Sequence, residues 1–390
     1  MIKSKVISKR ALIENYIESL GDVHNGFPVF LSEIDNELLV CKSREVAWEV
    51  LFCSRQSQIK KNFQGIFDDS IFGLYYVSLQ DGLNVARLLN KDNGIKDPRS
   101  FLKSFVELVI YASMWGIGDC HYENVIIVEN KPTIVDAECV FSNHLSPTKS
   151  FLLPSHQNET RGNLTDLFTS LLSWDQFKSE WDYFMECVVH ALQNHEMYWN
   201  AFQNCQEPVQ NYGQNKKIRI LLRDTGEYAG GFPKSEFSLE EKEQLRCGRI
   251  PYFYLYFDKF DQIFYDVNGI QKSLSVNSLS DYHYENFLNT KPSLSEVFFS
   301  RDSFYYRFSM AIADLLNWLY LCSEGGEINF VENKAEFSVN ETQLSLKFCG
   351  GDTTLSREIG NAQHRKLTKY FGREIKEFRM ELVRFSSNGR

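Results

Sequence analysis

Apolar and polar positions alternate along Phe27–Ile34, break at Asp35-Asn36, and alternate again from Glu37 to Cys41 before reaching Lys42. Strand side chains point to opposite faces in turn, so a period of two on both sides of a two-residue Asp-Asn turn predicts a β-hairpin. Phe72–Leu79 is strand-like as well, and is placed to connect a strand-rich segment to the rest of the chain. From Pro98 to Trp115 the period changes: Phe101, Phe105, Leu108, Val109 and Ala112 recur at helical spacing. An apolar run, Val125–Val128, then meets the polar turn Glu129–Pro132 and a β-branched run, Thr133–Val135, that ends on Asp136. That is strand, turn, strand. Asn163–His195 and Asp302–Leu321 read as helices with mixed apolar faces, and 325–350 alternates enough for two or three strands. Near the start, apolar residues at 12, 16, 17 and 20 predict an amphipathic helix over Ala11–Leu20.

One hexamer almost repeats in this pattern. Asp119–Asn124 reads DCHYEN and Asp281–Asn286 reads DYHYEN. The first is delivered by the Pro98–Trp115 helix and followed by the hairpin that ends on Asp136. After the second comes FLNTKPSLSEVF, with no strand pair and no Asp behind an apolar run. Context therefore assigns chemistry to the first copy and coincidence of composition to the second.

The spacing of the first copy has a physical reading. Asp119 precedes Asn124 by five residues, and Asp136 follows twelve residues later across the hairpin. Protein kinases place a catalytic Asp five before an Asn, with a metal-binding Asp beyond a short hairpin. A carboxylate accepts the proton of an attacking hydroxyl, while an amide oxygen and a second carboxylate suit Mg²⁺, which takes hard oxygen ligands. The same residues also fit a polar surface loop before an ordinary hairpin. A phosphate-binding cation is needed upstream, and Lys42 stands at the end of an apolar strand, as either an edge lysine or a phosphate ligand. Before that strand, GDVHNG (Gly21–Gly26) is a glycine-bracketed turn whose backbone N–H groups can approach phosphate.

Taken together, these segments resemble the dehydratase domain of the LanM class of lanthipeptide synthetases. GDVHNGFPVFLSEIDNELLVCKSREV is similar to that family's GDxHNGG…VYKPRS segment, and GIGDCHYENVIIVENKPTIVDAE to its GTDxHxEN…PVxIDxET segment. RILLRDTGEY (Arg219–Tyr228) resembles RxxxRxTxxY, and GRIPYFYLYF (Gly248–Phe257) resembles GDIPYF. The four segments come in family order over about residues 20 to 257. The resemblance implies an α+β, two-lobed kinase-like fold. The strand-rich small lobe, binding ATP phosphates, would span 1–80, and a mainly helical large lobe with the catalytic and elimination motifs 81–325. A C-terminal extension over 326–390, containing some strands, has no functional reading. It implies an ATP- and Mg²⁺-dependent enzyme that phosphorylates Ser or Thr of a ribosomal precursor peptide, then eliminates phosphate to leave dehydroalanine or dehydrobutyrine. The alternative is a kinase that stops at the phosphoester, on a peptide, protein or lipid.

Residue by residue, the resemblance gives Lys42 to the ATP phosphates, Asp119 to catalysis, and Asn124 and Asp136 to Mg²⁺. Asp22, His24 and His121 match family active-site positions. Arg219 and Thr225 match a pair needed for elimination, where a guanidinium suits a departing phosphate dianion. Several positions depart from the family: Arg249 stands where an acid is usual, Phe27 where a second Gly is, Ser43 where Pro is, and Cys139 where Thr is. The one Cys-His dipeptide, Cys120-His121, falls inside the DCHYEN hexamer and not in a LanC-like zinc segment, so the expectation is a stand-alone module that forms no thioether rings and works beside a separate cyclase or tailoring enzyme.

Composition narrows the partners. A net charge of −9 argues against a nucleic-acid surface. The longest weakly charged run, Leu108–Gly118, is too short to span a membrane, and the N-terminal stretch lacks the apolar core of a signal peptide. Nine scattered cysteines with no C-x-x-C point to reduced thiols and a cytoplasmic setting. The Tyr- and Phe-rich runs at 252–265 and 304–308 read as core rather than as a binding cage.

Overall fold

The computed structural model describes residues 9–24, 27–78, 83–90, 92, 94–120, 124–142, 147, 150, 152–153, 180–220, 222, 228, 233–275, 297–324, 334–340, 343–349, 354–358 and 377–383. It is an α+β protein, and its first element is a short helix, α1 (Lys9–Glu14). Three strands follow: β1 (Tyr16–His24), β2 (Phe27–Ile34) and β3 (Glu37–Lys42). The turn between β2 and β3 places Asp35 at φ 54° and Asn36 at φ 63°. Asp and Asn tolerate this left-handed region better than other side chains, which is why the hairpin closes in two residues. Helix α2 (Ala47–Phe52) comes next, then β4 (Tyr76–Ser78) and β5 (Asn84–Arg87). The five strands pair antiparallel in the order β1-β2-β3-β5-β4, so the strand-rich segment runs past residue 80 to Arg87.

Several sequence expectations change here. Residues 11–20 do not form one helix. Leu12 packs inward, whereas Tyr16 and Ile17 of the same apolar set are about half exposed on β1. Pairing with β2 wins over helical period, with Tyr16 opposite Ser32 and Ser19 opposite Phe30. The GDVHNG segment is not a turn throughout, because Gly21–His24 completes β1 and His24 pairs with Phe27. Of the strand expected over Phe72–Leu79, the described residues show strand at Tyr76–Ser78, while Phe72 ends a 3-10 turn, Asp69–Phe72, and Leu79 lies outside the described residues.

Helix α3 (Pro98–Trp115) has the bounds its periodicity predicts. Asp97 caps its start by accepting from Ser100 N–H, Pro98 fills the first turn, and Gly116 ends it at φ 57°. A Cβ on Gly116 would lie 2.3 Å from the backbone oxygen of Ser142, so the close approach also requires glycine. Phe141 N–H donates to Trp115 O at 2.9 Å, Ser142 N–H to Gly116 O at 3.2 Å, and Gly118 N–H to Cys139 O at 2.8 Å. These bonds zip the chain after α3 to the chain after the next hairpin. That hairpin is β6 (Val125–Val128) and β7 (Lys131–Ile134), turning on Glu129 and Asn130 at φ 52° and 66°. Lys131 and Pro132 belong to β7 rather than to the turn.

Helices α4 (Trp181–Gln193), α5 (His195–Gln203) and α6 (Gln206–Gly213) follow. The helical reading of 163–195 thus breaks at Asn194, and its first part, 163–179, lies outside the described residues. Strand β8 (Lys217–Ile220), helix α7 (Leu239–Arg246) and strands β9 (Phe253–Tyr256), β10 (Lys259–Val267) and β11 (Ile270–Ser275) come next. The strands form a sheet in the order β11-β10-β9-β8. Strand β8 is its edge, and outward groups on it are taken: Trp48 Nε1 donates to Lys217 O at 2.7 Å, Lys217 N–H donates to Glu45 Oε2 at 3.5 Å, and Arg219 N–H donates to Glu138 O at 3.1 Å. Along β9 and β10, Phe253, Leu255, Ile263 and Tyr265 enter the main core, while Tyr254 and Phe264 are buried on the other face.

The long helix α8 (Arg301–Glu324) packs on α3. Its Arg307 is buried, donating from Nε to Met114 O at 3.0 Å and so tying down the end of α3. Strands β12 (Lys334–Asn340), β13 (Gln343–Cys349), β14 (Thr354–Glu358) and β15 (Glu377–Val383) form a last antiparallel sheet, in the order β14-β13-β12-β15. Among the described residues no helix is long and apolar enough to cross a membrane. The second hexamer, 281–286, lies outside them.

Candidate functional site

Strand parity aims Lys42. Leu39 and Cys41 face the small cluster under the first sheet, with Phe30 and Val85. Lys42, one residue on, faces the other way, and its buried ammonium lies 3.2 Å from Asp136 Oδ2 and 3.2 Å from Val135 O. Glu49, on the inner face of α2, offers Oε1 at 3.4 Å. Burial works against the ammonium, but Asp136 and then the Tyr76 phenol and Glu49 outweigh it and hold Lys42 above its ordinary value.

Arg44, two residues beyond, shares the same carboxylates. Its Nη2 is 2.5 Å from Asp136 Oδ1 and 2.6 Å from Glu49 Oε1. Its Nε is 3.2 Å from Glu138 Oε2, an ion pair rather than an aligned hydrogen bond. The Arg44 backbone is fixed as well: Asn84 Nδ2 donates to Arg44 O at 2.6 Å, and Ser78 Oγ donates to Asn84 Oδ1 at 2.6 Å. Asp136 therefore sits between two cations, its side chain 22% exposed. Burial opposes its charge, yet Arg44 and then Lys42 overcome that and hold the carboxyl well below the usual range.

Asn124 opens the β6–β7 hairpin next to this group. Its Nδ2 donates to Asp119 O at 2.8 Å, and its own carbonyl accepts from Val135 N–H at 2.8 Å. One residue thus ties the Asp119 loop to the strand end that carries Asp136. Asp119 itself has φ 57°, an uncommon conformation for a side chain other than glycine, of the kind that collects at functional sites.

Arg219 arrives from β8. Its backbone N–H and its side chain dock on the same residue, with Nη1 donating to Glu138 Oε1. The guanidinium is buried, and Nε and Nη2 have no hydrogen-bond partner among the described residues. The Tyr252 ring lies 5.4 Å from it. Burial disfavours its charge, but Glu138, Cys139 and Asp119 hold its pKa above the ordinary arginine value. Asp119, 100 residues away in sequence, thus lies close enough for its charge to act on Arg219.

The site is then three cations (Lys42, Arg44, Arg219) interleaved with three carboxylates (Glu49, Asp136, Glu138) beside Asp119 and Asn124. Of the residues singled out from sequence, Lys42, Asp119, Asn124, Asp136 and Arg219 come together. Asp22 and His24 lie on β1, the far edge of the first sheet. His121 and Thr225 are outside the described residues. Sequence reasoning does not single out Arg44, Glu49 or Glu138. A signal was available for two of them: Arg44 and Glu138, two residues beyond Lys42 and Asp136, fall on the Arg of VYKPRS and the Glu of DxET in the segments the chain resembles, whereas Glu49 is a lone carboxylate in the apolar run AWEVLF. Cys120 and Cys139 flank the site, but burial pushes both thiols up, which suits packing and not nucleophilic attack.

The donor set suits Mg²⁺ with a polyphosphate. Asn124 and Asp136 carry an amide oxygen and a carboxylate, the hard donors that Mg²⁺ takes, and Lys42 adds a phosphate-binding cation. Among the described residues no group of three or more His, Cys, Asp or Glu could hold a metal ion. Compared with protein-family models the chain matches none, and no curated protein matches it.

Proposed function

We propose that the protein is an ATP-dependent Ser/Thr dehydratase of a ribosomally made peptide, built on a two-lobed kinase-like fold. One observation carries this reading: Lys42 at the end of β3 meets Asp136 beyond the β6–β7 hairpin at 3.2 Å, with Asn124 and Asp119 alongside. Lys42 also pairs with Glu49 of the following helix, as the strand lysine and helix glutamate do in protein kinases.

In this reading a Ser or Thr hydroxyl oxygen attacks the γ-phosphorus of ATP. The Oγ–P bond forms, the bond to the β–γ bridging oxygen breaks, ADP leaves, and Asp119 takes the hydroxyl proton. Lys42 holds the phosphates. Asn124 and Asp136 would hold Mg²⁺, which when bound neutralises charge on the phosphates. Elimination follows on the phosphorylated residue. A base removes the Cα proton, the Cα–Cβ double bond forms, and the Cβ–Oγ bond breaks with its electron pair leaving on phosphate. Arg219 stabilises that leaving dianion, with Thr225 six residues on in sequence; His121, Asp22 and His24 match family active-site positions, and Asp22 and His24 would have to act from the edge strand β1. The peptide is Ser- and Thr-rich, and a separate enzyme closes any rings.

The alternative, a kinase that stops at the phosphoester, is favoured by one feature. Arg219 is already engaged by Glu138 and must turn Nε and Nη2 to a phosphate. ADP release with Mg²⁺-ATP and a Ser/Thr-rich precursor peptide tests the shared step. Lys42→Ala and Asp136→Asn are each expected to abolish it while circular dichroism stays at wild type. Near-wild-type turnover in either variant would sink the kinase-like assignment.

A further inference from the structure

Neither half of the proposed reaction needs Arg44 by name, yet Arg44 touches the carboxylates of both. Its Nη2 end lies on Asp136 and Glu49, its Nε end on Glu138, and Glu138 in turn holds the Arg219 guanidinium. Its side chain is 4% exposed, and its carbonyl is pinned by Asn84 from the neighbouring strand. A guanidinium is planar and rigid, so bonds made from its two ends fix the angle between what they hold. Lysine carries the same charge as a single point and cannot span the two ends. Arg44 is also short of a simple neutralising role. Lys42 already balances Asp136, and Arg219 already balances Glu138.

We propose that Arg44 is a positioning residue that joins the two halves of the site. It sets the direction of Asp136 at one end and, through Glu138, of Arg219 at the other. The geometry that receives ATP and the geometry that receives the departing phosphate then form one hydrogen-bonded and ion-paired unit. The catalytic consequence rests on the function proposed above, whereas the coupling from Asp136 to Arg219 does not. In the reaction, Arg44 would make the cation for elimination stand correctly only while Asp136 is held.

Arginine-labelled protein tests the coupling without substrate, nucleotide or metal. The Arg219 Nε–Hε resonance, assigned by its loss in Arg219→Lys, is recorded with and without Asp136→Asn. In an otherwise wild-type chain that substitution is expected to displace the resonance. In an Arg44→Lys chain most of the displacement is expected to vanish, although the charge is kept and the two sites are no farther apart. An equal displacement in both backgrounds overturns the proposal, because it shows that Arg219 senses Asp136 through space alone. Should Arg44→Lys fail to fold, Glu138→Gln cuts the same path at its other end, and the Asp136→Asn displacement is again expected to collapse. A full displacement there overturns the proposal equally.

A kinetic arm reads the consequence. With a phosphoserine peptide and ADP, which bypass phosphoryl transfer, Arg44→Lys is expected to lower kcat for elimination about a hundredfold at little change in KM, the cost of misplacing a group by about 1 Å. Wild-type kcat in Arg44→Lys counts against a positioning role. An inactive wild type with the resonance coupling intact would refute the dehydratase reading and leave the coupling standing.

Discussion

Asp136 divides its two oxygens between Lys42 and Arg44, and this division fixes its protonation. Its folded pKa is depressed, so the stability it contributes is present above the unfolded value of about 3.9 and is lost as pH falls through the folded value. For Lys42 the sign is opposite. Its folded pKa is raised, so its contribution is present below about 10.4 and is lost as pH rises through the folded value. Between about pH 5 and pH 9 neither group changes charge in either state. The difference in urea midpoint between wild type and Asp136→Asn is therefore expected to be flat across that window and to shrink below about pH 4. A titration of that difference centred near neutrality would contradict the pairing. The same charges explain what a residue-level reading misses. Arg44 meets Asp136 across 92 residues and Glu138 across 94, distances that no local pattern records, whereas Glu49, five residues from Arg44, is near in sequence but hidden in an apolar run. Lys42 was readable because it ends a clearly alternating strand.

At the scale of elements, the ends of α3 decide how the loop of Asp119 is held. Gly116 stands at φ 57° with the Ser142 backbone against it, and Trp115, Gly116 and Gly118 zip to 139–142. Gly116→Ala is expected to cost at least about 1–2 kcal/mol for the left-handed conformation alone, and more for the contact with Ser142. Guanidinium unfolding checks this, and an unchanged midpoint would show that the turn is not closed as described. Elements with strong local determinants were legible. Asp97, Pro98 and Gly116 bound α3, and Asp35-Asn36 and Glu129-Asn130 close hairpins, because these residues act through their own backbone. The first segment was not legible. Residues 11–20 carry a helical period, but Tyr16–His24 gains backbone pairing with β2, a long-range term that local spacing does not contain. Similarly, β4 is far shorter than its apolar run, since Phe72 and Leu74 are used for packing in the main core.

Across the whole molecule, five segments converge: the end of β3, α2, the Asp119 loop, the strand end after β7, and the edge strand β8. The edge of β8 is the joint, since Trp48 of α2, Glu45 and Glu138 bond to backbone groups along it. Arg219 is thereby fixed beside the Lys42–Asp136 pair although 83 residues separate it from Asp136. In the function proposed above, this convergence would let one site both transfer a phosphoryl group and expel it as phosphate. Its separability is also testable. In the proposed reaction phosphoryl transfer would rest on Lys42, Asp119, Asn124 and Asp136 and elimination on Arg219, where loss of one contact to a developing oxyanion typically costs about 3–4 kcal/mol, or about a hundred- to a thousandfold in rate. The direct measurement is the intact mass of a Ser/Thr-rich precursor peptide incubated with Mg²⁺-ATP and either wild type or Arg219→Ala. Wild type is expected to give a peptide lighter by one water for each modified residue, and Arg219→Ala a peptide heavier by phosphate. A wild type that yields only phosphopeptide, or a peptide of unchanged mass, would contradict the dehydratase account.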